Sequence, residues 1–250
     1  MEGSSNNKNV SNYEILAKYY DELLQDEDSL SLWLNYIEEE KFNSVLELAS
    51  GSGVMAGILK KKGFDVIASD ISNAMKEISK NNYDGDYLIL NMSNYNLDRK
   101  FDLILCICDS LNYLQEDELD SFFNCAYKHL NNNGRIIFDM HSIKRLTEFE
   151  QQYIEEGYVL DTPYQWTIMS DPYERLINEH FTFYTKDAMI QEHHTQNVFE
   201  VSIVMNKMKD LFETRVIEDF VEDEKILFIG RKIWSQLFVQ CLKKEMLLFP

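Results

Sequence analysis

SVLELASGSGVMAGILKKKGFDVIASD, residues 44–70, reads as strand, tight turn, helix, turn and strand. Val45, Leu46 and Leu48 make a short apolar run, Gly51 and Gly53 a turn, and Val54 to Lys62 a helical spacing closed by Gly63. Phe64 to Ala68 form a second buried strand that stops at Asp70. Two strands joined by a crossover helix make a βαβ unit, which requires a parallel sheet. Only nine of 250 residues are glycine. Two of them within three positions mark a backbone that turns tightly and stands bare toward a ligand.

The pattern continues outward in both directions. YEILAKYYDELLQDEDSLSLWLNYIEEE (13–40) has Tyr, Leu and Trp at helical spacing and predicts two helices joined near Asp26–Ser29. Strands are expected at 44–49, 64–69, 86–90, 101–107 and 134–140, with helices at 54–62, 72–81 and 116–131. The last of these helices is closed by the polar turn NNNG, 131–134. From about residue 146, aromatic and β-branched residues alternate over 158–170, 175–185 and 188–200. SDPYE and TKDA supply the turns, as for an inserted antiparallel sheet. A helix at about 202–213 and strands at 214–220 and 225–232 return to the core, and the residues after 233 read as an extra amphipathic helix. The alternation predicts an α/β fold with a doubly wound, mostly parallel sheet covered on both faces. The domain division is 1–12 as a disordered start, 13–145 and 202–250 as the core, and 146–201 as the insert.

A 250-residue chain that is 45% hydrophobic and 13% aromatic can bury a sizeable core. A net charge of −19 argues against a nucleic-acid partner. Lys60, Lys61 and Lys62 sit where cations complement a helix C-terminus. The polar MEGSSNNKNVSN lacks the apolar stretch of a secretory signal, and no run reaches membrane-spanning length, so a cytoplasmic location without membrane contact is expected. Cys106 and Cys108, two apart in a strand, share a face; no second Cys or His pair at ligand spacing accompanies them, so core thiols and no metal site are expected for these, Cys125 and Cys241.

Gly51-Ser52-Gly53-Val54-Met55-Ala56 fits GxGxxG/A, with Asp70 near the distance at which an acid meets a ribose. That much is equally consistent with an NAD(P)-dependent oxidoreductase, or with a non-catalytic nucleotide-binding or regulatory protein. Glu47 and Ala49 in the pattern Glu-x-Ala-x-Gly-x-Gly, and FDLILCICDSLNYL (101–114), turn the reading elsewhere. With YEILAKYYDELL, LWLNYIEE, SDISNAM, LNMSNYNL, FDMHS, NEHFTFY and EHHTQ in order, the chain resembles the class I S-adenosylmethionine-dependent methyltransferases from about Tyr13 to Lys232. The likeness is to the small stand-alone bacterial type with a β-sheet insert.

The resemblance implies a seven-stranded Rossmann-like sheet with N-terminal lid helices. It implies S-adenosylmethionine as cofactor and S-adenosylhomocysteine as product. Gly51 and Gly53 would approach the methionine part, supported by Glu47 and Ala49; Asp70 would accept from the ribose hydroxyls. Ile71 and Met75 would line the adenine slot, with Asn91 and Met92 at the adenine edge. Cys108 and Asp109 would lie under the sulfonium, and Tyr13, Tyr20 and Trp33 would close the lid. The middle glycine of the motif is Ala49 here, and Asn91 stands where aspartate is frequent.

Such an enzyme aligns nucleophile, methyl and sulfur in line and excludes water. Candidate bases are His141, at the carboxyl edge after the fifth strand, with His180, Glu192 and His194 of the insert. Strand geometry points His180, Thr182 and Tyr184 one way and Phe181 and Phe183 the other, while Glu192, His194 and Gln196 share a face. The expected acceptor is a small molecule methylated on N or O, bound under the insert, by a monomer or homodimer.

Overall fold

The computed structural model describes residues 13–24, 27–38, 42–221 and 224–233. The disordered start expected for 1–12 and the helix expected after 233 lie outside the described residues. So does Cys241.

A 3-10 turn, Leu16–Tyr19, runs into α1 (Tyr20–Leu24), and α2 spans Glu27–Glu38. The core then alternates β1 (Ser44–Glu47), α3 (Val54–Lys61), β2 (Asp65–Asp70), α4 (Asn73–Ser79), β3 (Asp86–Ile89), β4 (Phe101–Cys106), α5 (Glu118–His129) and β5 (Leu130–His141). A short helix α6 (Lys144–Glu148) leads into β6 (Tyr153–Val159), β7 (Thr162–Asp171), β8 (Leu176–Tyr184) and β9 (Met189–Asn197). Helix α7 (Val201–Met208) and strands β10 (Phe212–Phe220) and β11 (Lys225–Lys232) close the core.

The main sheet has seven strands in the order β10-β11-β5-β4-β1-β2-β3. β11 runs antiparallel to both neighbours, and β5, β4, β1, β2 and β3 are mutually parallel. Every residue of β1 is buried, as a central parallel strand requires. On one face Phe122, Phe123, Phe138 and Phe228 pack under α5 and α7, with Phe138 stacked on Phe228 at 4.8 Å. On the other, Trp33, Ile37, Met55 and Leu59 join Phe220. Strand order reverses between β1 and β4, so the crevice at their carboxyl ends is where an α/β sheet receives a ligand.

The antiparallel sheet, β6-β7-β8-β9, has four strands where the sequence predicts three. The segment read as one strand over 158–170 is broken at Leu160 and Asp161, both left-handed at φ 46° and 61°. That two-residue turn carries no glycine, so nothing in its composition marks it. The NNNG segment is likewise part of β5: a register shift against β4 and Asn133 at φ 63° absorb the polar residues into a bulged strand. Cys108 does not share a face with Cys106, because β4 ends at Cys106 and Cys108 turns left-handed at φ 61°. Cys106 is buried and Cys108 is exposed, so the second thiol is no core residue.

Helix α3 presses on the chain after α4: a Cβ on Gly57 would stand 2.2 Å from the Asn82 carbonyl oxygen. Helix propensity alone favours Ala over Gly by about 0.5–1 kcal/mol, whereas overpacking costs about 1–3 kcal/mol. Gly57→Ala is therefore expected to lower the melting temperature by several degrees in a circular-dichroism melt. A raised melting temperature would contradict the close approach.

Candidate functional site

The glycine turn leaves β1 with alternate residues left-handed: Ala49 at φ 49°, Gly51 at 53° and Gly53 at 76°. Glycine adopts this freely, while Ala49 carries about 1–2 kcal/mol of strain. The turn is tied down by its surroundings. Asp70 accepts Gly51 N–H at 3.0 Å and Ser72 N–H at 2.9 Å. Tyr87 Oη donates to the Gly51 carbonyl at 2.6 Å, and Ser50 Oγ donates to Glu47 at 2.9 Å. Burial pushes the Glu47 carboxyl up to about 8, and burial also raises Asp70 above its ordinary value against its backbone hydrogen bonds.

Two cavities flank the turn. The smaller, about 320 Å³, lies against Asp70, Ile71, Met75, Asn91 and Met92. Ile71 is 66% exposed, an apolar side chain on the wall of this cavity. The larger, about 370 Å³, opens under the insert and includes Glu47, Asp109, His141, Glu179, His194 and Lys225 in its wall. Both are lined by Tyr13, Tyr20, Ala49, Gly51, Cys108 and Tyr113, which form the neck between them. A Cβ on Gly51 would come 3.7 Å from the Tyr20 ring, so a side chain here would stand in that neck.

Thirteen residues named from the sequence line one cavity or both: Tyr13, Tyr20, Glu47, Ala49, Gly51, Asp70, Ile71, Met75, Asn91, Met92, Cys108, Asp109 and His141. His194 and Trp33 do so as well, but Trp33 is 2% exposed and packs edge-on to Phe220 at 5.5 Å, a core residue that forms wall rather than lid. Gly53 lies deeper, facing Ser79 and Tyr83. Asn91 Oδ1 accepts both Ser93 N–H (2.8 Å) and Ser93 Oγ–H (2.9 Å). With both lone pairs of that oxygen filled, the Asn91 side chain can offer a ligand only its amide N–H donors.

Asp109 is paired rather than open: its carboxylate meets Lys225 Nζ at 2.5 Å and stands 3.4 Å from His141 Nδ1. Burial alone would raise it, but His141 and Lys225 hold it below the ordinary carboxylate range. Asp139, wholly buried, accepts Asp109 N–H at 3.1 Å and is pushed by burial to about 7, with Lys225 opposing. His141 Nε2 faces Gln196 Oε1 at 2.9 Å.

The insert brings a different face than expected. His180 lies beside His193 at 4.4 Å, on the face of β8 away from the larger cavity, which corrects its placement as a candidate base. The cavity face carries Ile177, Glu179 and Phe181, paired with Gln196, His194 and Glu192 of β9. Glu179 accepts Trp166 Nε1–H at 3.1 Å, and burial raises its carboxyl, opposed by His141 and His194. Glu179, Tyr113, Trp166 and Lys225 were missed. Period-two alternation could have found Glu179 once Phe181 was assigned inward. Among the described residues no cluster of three or more His, Cys, Asp or Glu side chains could hold a metal ion.

Glu47 gives the site a pH signature. Its pKa is raised in the folded protein, so its contribution to stability is full below about 4.5 and is lost as pH rises through about 8. Glu47→Gln is expected to remove that slope, up to about 1.4 kcal/mol per pH unit, in urea denaturation between pH 5 and 8. Parallel curves for the two proteins would contradict the burial.

A protein-family model described as a methyltransferase domain matches residues 45–134. A protein of Geobacillus sp. (strain WCH70) named a methyltransferase is 24% identical over 246 residues, covering 88% of this chain and 99% of that one. Among solved structures, the sugar N-methyltransferase KedS8 from Streptoalloteichus sp. ATCC 53650 superposes with a TM-score of 0.80 at 16% identity, covering 94% of this chain and 99% of the other. CalS10 of Micromonospora echinaspora, an amino pentose methyltransferase solved with S-adenosylmethionine bound, gives 0.70 at 14% identity over 90% and 99%. Residues 45–134 match a methyltransferase domain, and the chain has the fold of S-adenosylmethionine-dependent methyltransferases of known structure.

Proposed function

We propose that this methyltransferase acts on the amino group of a small molecule held in the larger cavity, with the four-stranded insert, 146–201 in the sequence reading, as the acceptor-binding cap. The observation that carries it is Glu179: a half-buried carboxylate on the cavity wall, beside Trp166, Phe181 and Tyr113. A carboxylate among aromatic faces is a site for a cation, with about 0.5–2 kcal/mol from each ring contact. The sugar N-methyltransferase and amino pentose methyltransferase neighbours support the same acceptor class. The net charge of −19 supports a small acceptor over a nucleic acid, and no helix among the described residues is long and apolar enough to cross a membrane.

The residues present suit the cofactor. Asp70 offers carboxylate oxygens at the end of β2 to ribose hydroxyls, Ile71 and Met75 offer apolar surface to adenine, and Gly51 leaves the neck open beside Tyr20. Bound there, S-adenosylmethionine supplies a methyl group on a positively charged sulfur. Tyr13, Tyr20 and Tyr113 would surround that end and exclude water. The Asp109–Lys225 pair would leave little net charge beside it.

Asp70→Ala should weaken cofactor binding by at least an order of magnitude in calorimetry, because two ribose hydroxyls lose their acceptor, and should also lower the melting temperature, because the Gly51 and Ser72 N–H groups lose theirs. Glu179→Gln should raise KM for an amine acceptor about 10–100-fold, the loss of a charge-assisted hydrogen bond, at unchanged cofactor affinity. The acceptor class is tested by S-adenosylhomocysteine release over a panel of amino hexoses, amino acids and polyamines against their hydroxyl analogues. Turnover with the hydroxyl compounds alone would overturn the amine reading.

A further inference from the structure

Glu192 is 3% exposed and its two oxygens take four donors. Oε1 accepts Tyr13 N–H at 2.6 Å and faces His194 Nε2 at 2.8 Å; Oε2 accepts Ile15 N–H at 2.9 Å and Leu16 N–H at 3.0 Å. All its lone-pair positions are used. Burial would raise the carboxyl, but His194 and the backbone N–H groups outweigh it and hold it below its ordinary value. Glu192 is therefore an anion that orients other groups, and no base.

A carboxylate only accepts, so the His194 proton sits on Nε2, and Nδ1 presents its lone pair. That nitrogen faces Tyr113 Oη at 3.5 Å, and Tyr113 Oη lies 2.6 Å from Tyr13 Oη. The 3.5 Å step is long, as catalytic hydrogen bonds are before the acceptor tightens them. Both tyrosines line the neck, and Tyr13 packs on the His194 ring at 4.5 Å. Burial pushes both phenols well above their ordinary values, so neither ionises; each gives up a proton as it receives one. The titratable groups facing His194 are Glu192 on its own strand, Glu179 opposite on β8, Tyr113 from the turn after β4 and Tyr13 from the N-terminal segment.

We infer that Tyr13, Tyr113 and His194 form a proton relay for the acceptor amine, and that Glu192 is the positioning residue that assembles it when the N-terminal segment docks. The same carboxylate fixes the His194 tautomer and binds the N–H groups of residues 13, 15 and 16, so the relay is complete only in the closed protein. The inference rests on the amine reading above. An ammonium beside Glu179 gives a proton to Tyr13 Oη, Tyr13 passes its own to Tyr113, and Tyr113 passes its own to His194 Nδ1. The freed lone pair forms the N–C bond as the methyl C–S bond breaks, its electron pair remaining on sulfur. The imidazolium is balanced by Glu192 and releases its proton when the segment undocks.

His141 does not fill this role. Its Nε2 is committed to Gln196 Oε1, and Gln196 Nε2 donates to the Asp109 carbonyl at 3.4 Å, which fixes the amide orientation. Its other nitrogen faces Asp109.

The test uses the full chain saturated with S-adenosylhomocysteine and labelled with 15N-histidine. The expected His194 is the Nε2–H tautomer at pH 8, with an Nδ1 resonance that moves in Tyr113→Phe. In Glu192→Gln the His194 Nε2 resonance should move and amide exchange at Ile15 and Leu16 should quicken, because all three N–H groups lose a charged acceptor. The Nδ1–H tautomer, or an Nε2 resonance unmoved in Glu192→Gln, would overturn the relay. In the kinetic arm D-glucosamine is the probe amine. Tyr113→Phe should lose about 100-fold in kcat at pH 7 and recover as pH rises and the probe deprotonates in solution. An equal loss at every pH overturns the relay in favour of packing. A wild-type protein inert to the probe counts against the amine reading alone, and the imidazole shifts still decide the relay.

Discussion

Ala49, Gly51 and Gly53 turn the chain off β1 by taking left-handed conformations at every second residue, and the site depends on that backbone path. Any side chain at Gly51 would enter the space between the two cavities, beside Tyr20. The strain is held by what lies around it: Asp70 on the Gly51 N–H, Tyr87 on its carbonyl, and the buried Glu47 on Ser50. Strand order does the rest. Because β1 is flanked by β2 on one side and β4 on the other, the loops after β1 and β4 diverge to opposite faces and leave a crevice between them.

Charge within the crevice is kept close to neutral. Asp109 and Lys225 pair directly, and Asp139, pushed to about 7, shares the lysine at 3.5 Å. Such buried ions are tolerated only when their partners are close and their remaining valences filled. The arrangement leaves Glu179 as the carboxylate of the larger cavity with an indole N–H as its partner, which is why the amine reading rests on it. The N-terminal segment completes the enclosure from the other side. Leu16 and Tyr19 pack on Phe181 and Phe183 of the insert, with Tyr19 stacked on Phe183 at 4.4 Å, and Glu192 binds the segment's first amides.

The βαβ unit was legible because its signals are local: an apolar run, paired glycines, helical spacing and an acid at the next strand end. All seven core strands could be read this way, β11 to the residue at both ends. The insert was harder. Its Leu160–Asp161 turn has no glycine, and both faces of β8 carry large side chains, so alternation separates Glu179 from His180 without saying which faces the cavity. Pairing with β9 decides that, and pairing is not a local property. Lys225 was invisible for the same reason: it reaches Asp109 because β11 sets it opposite His141 in the antiparallel register with β5. The polar triplet 131–133 reads as a turn, yet it enters β5 through a bulge whose partner strand lies about thirty residues earlier in the chain.

In the proposed function two joined cavities divide the reaction, with the cofactor's nucleoside in the smaller and the acceptor in the larger. A crystal structure with S-adenosylhomocysteine tests it most directly. The expected complex has ribose hydroxyls on Asp70, the base between Ile71 and Met75, and the sulfur in the neck beside Tyr13, Tyr20 and Cys108. A nucleoside bound beneath the insert, against Glu179 and Trp166, would contradict it.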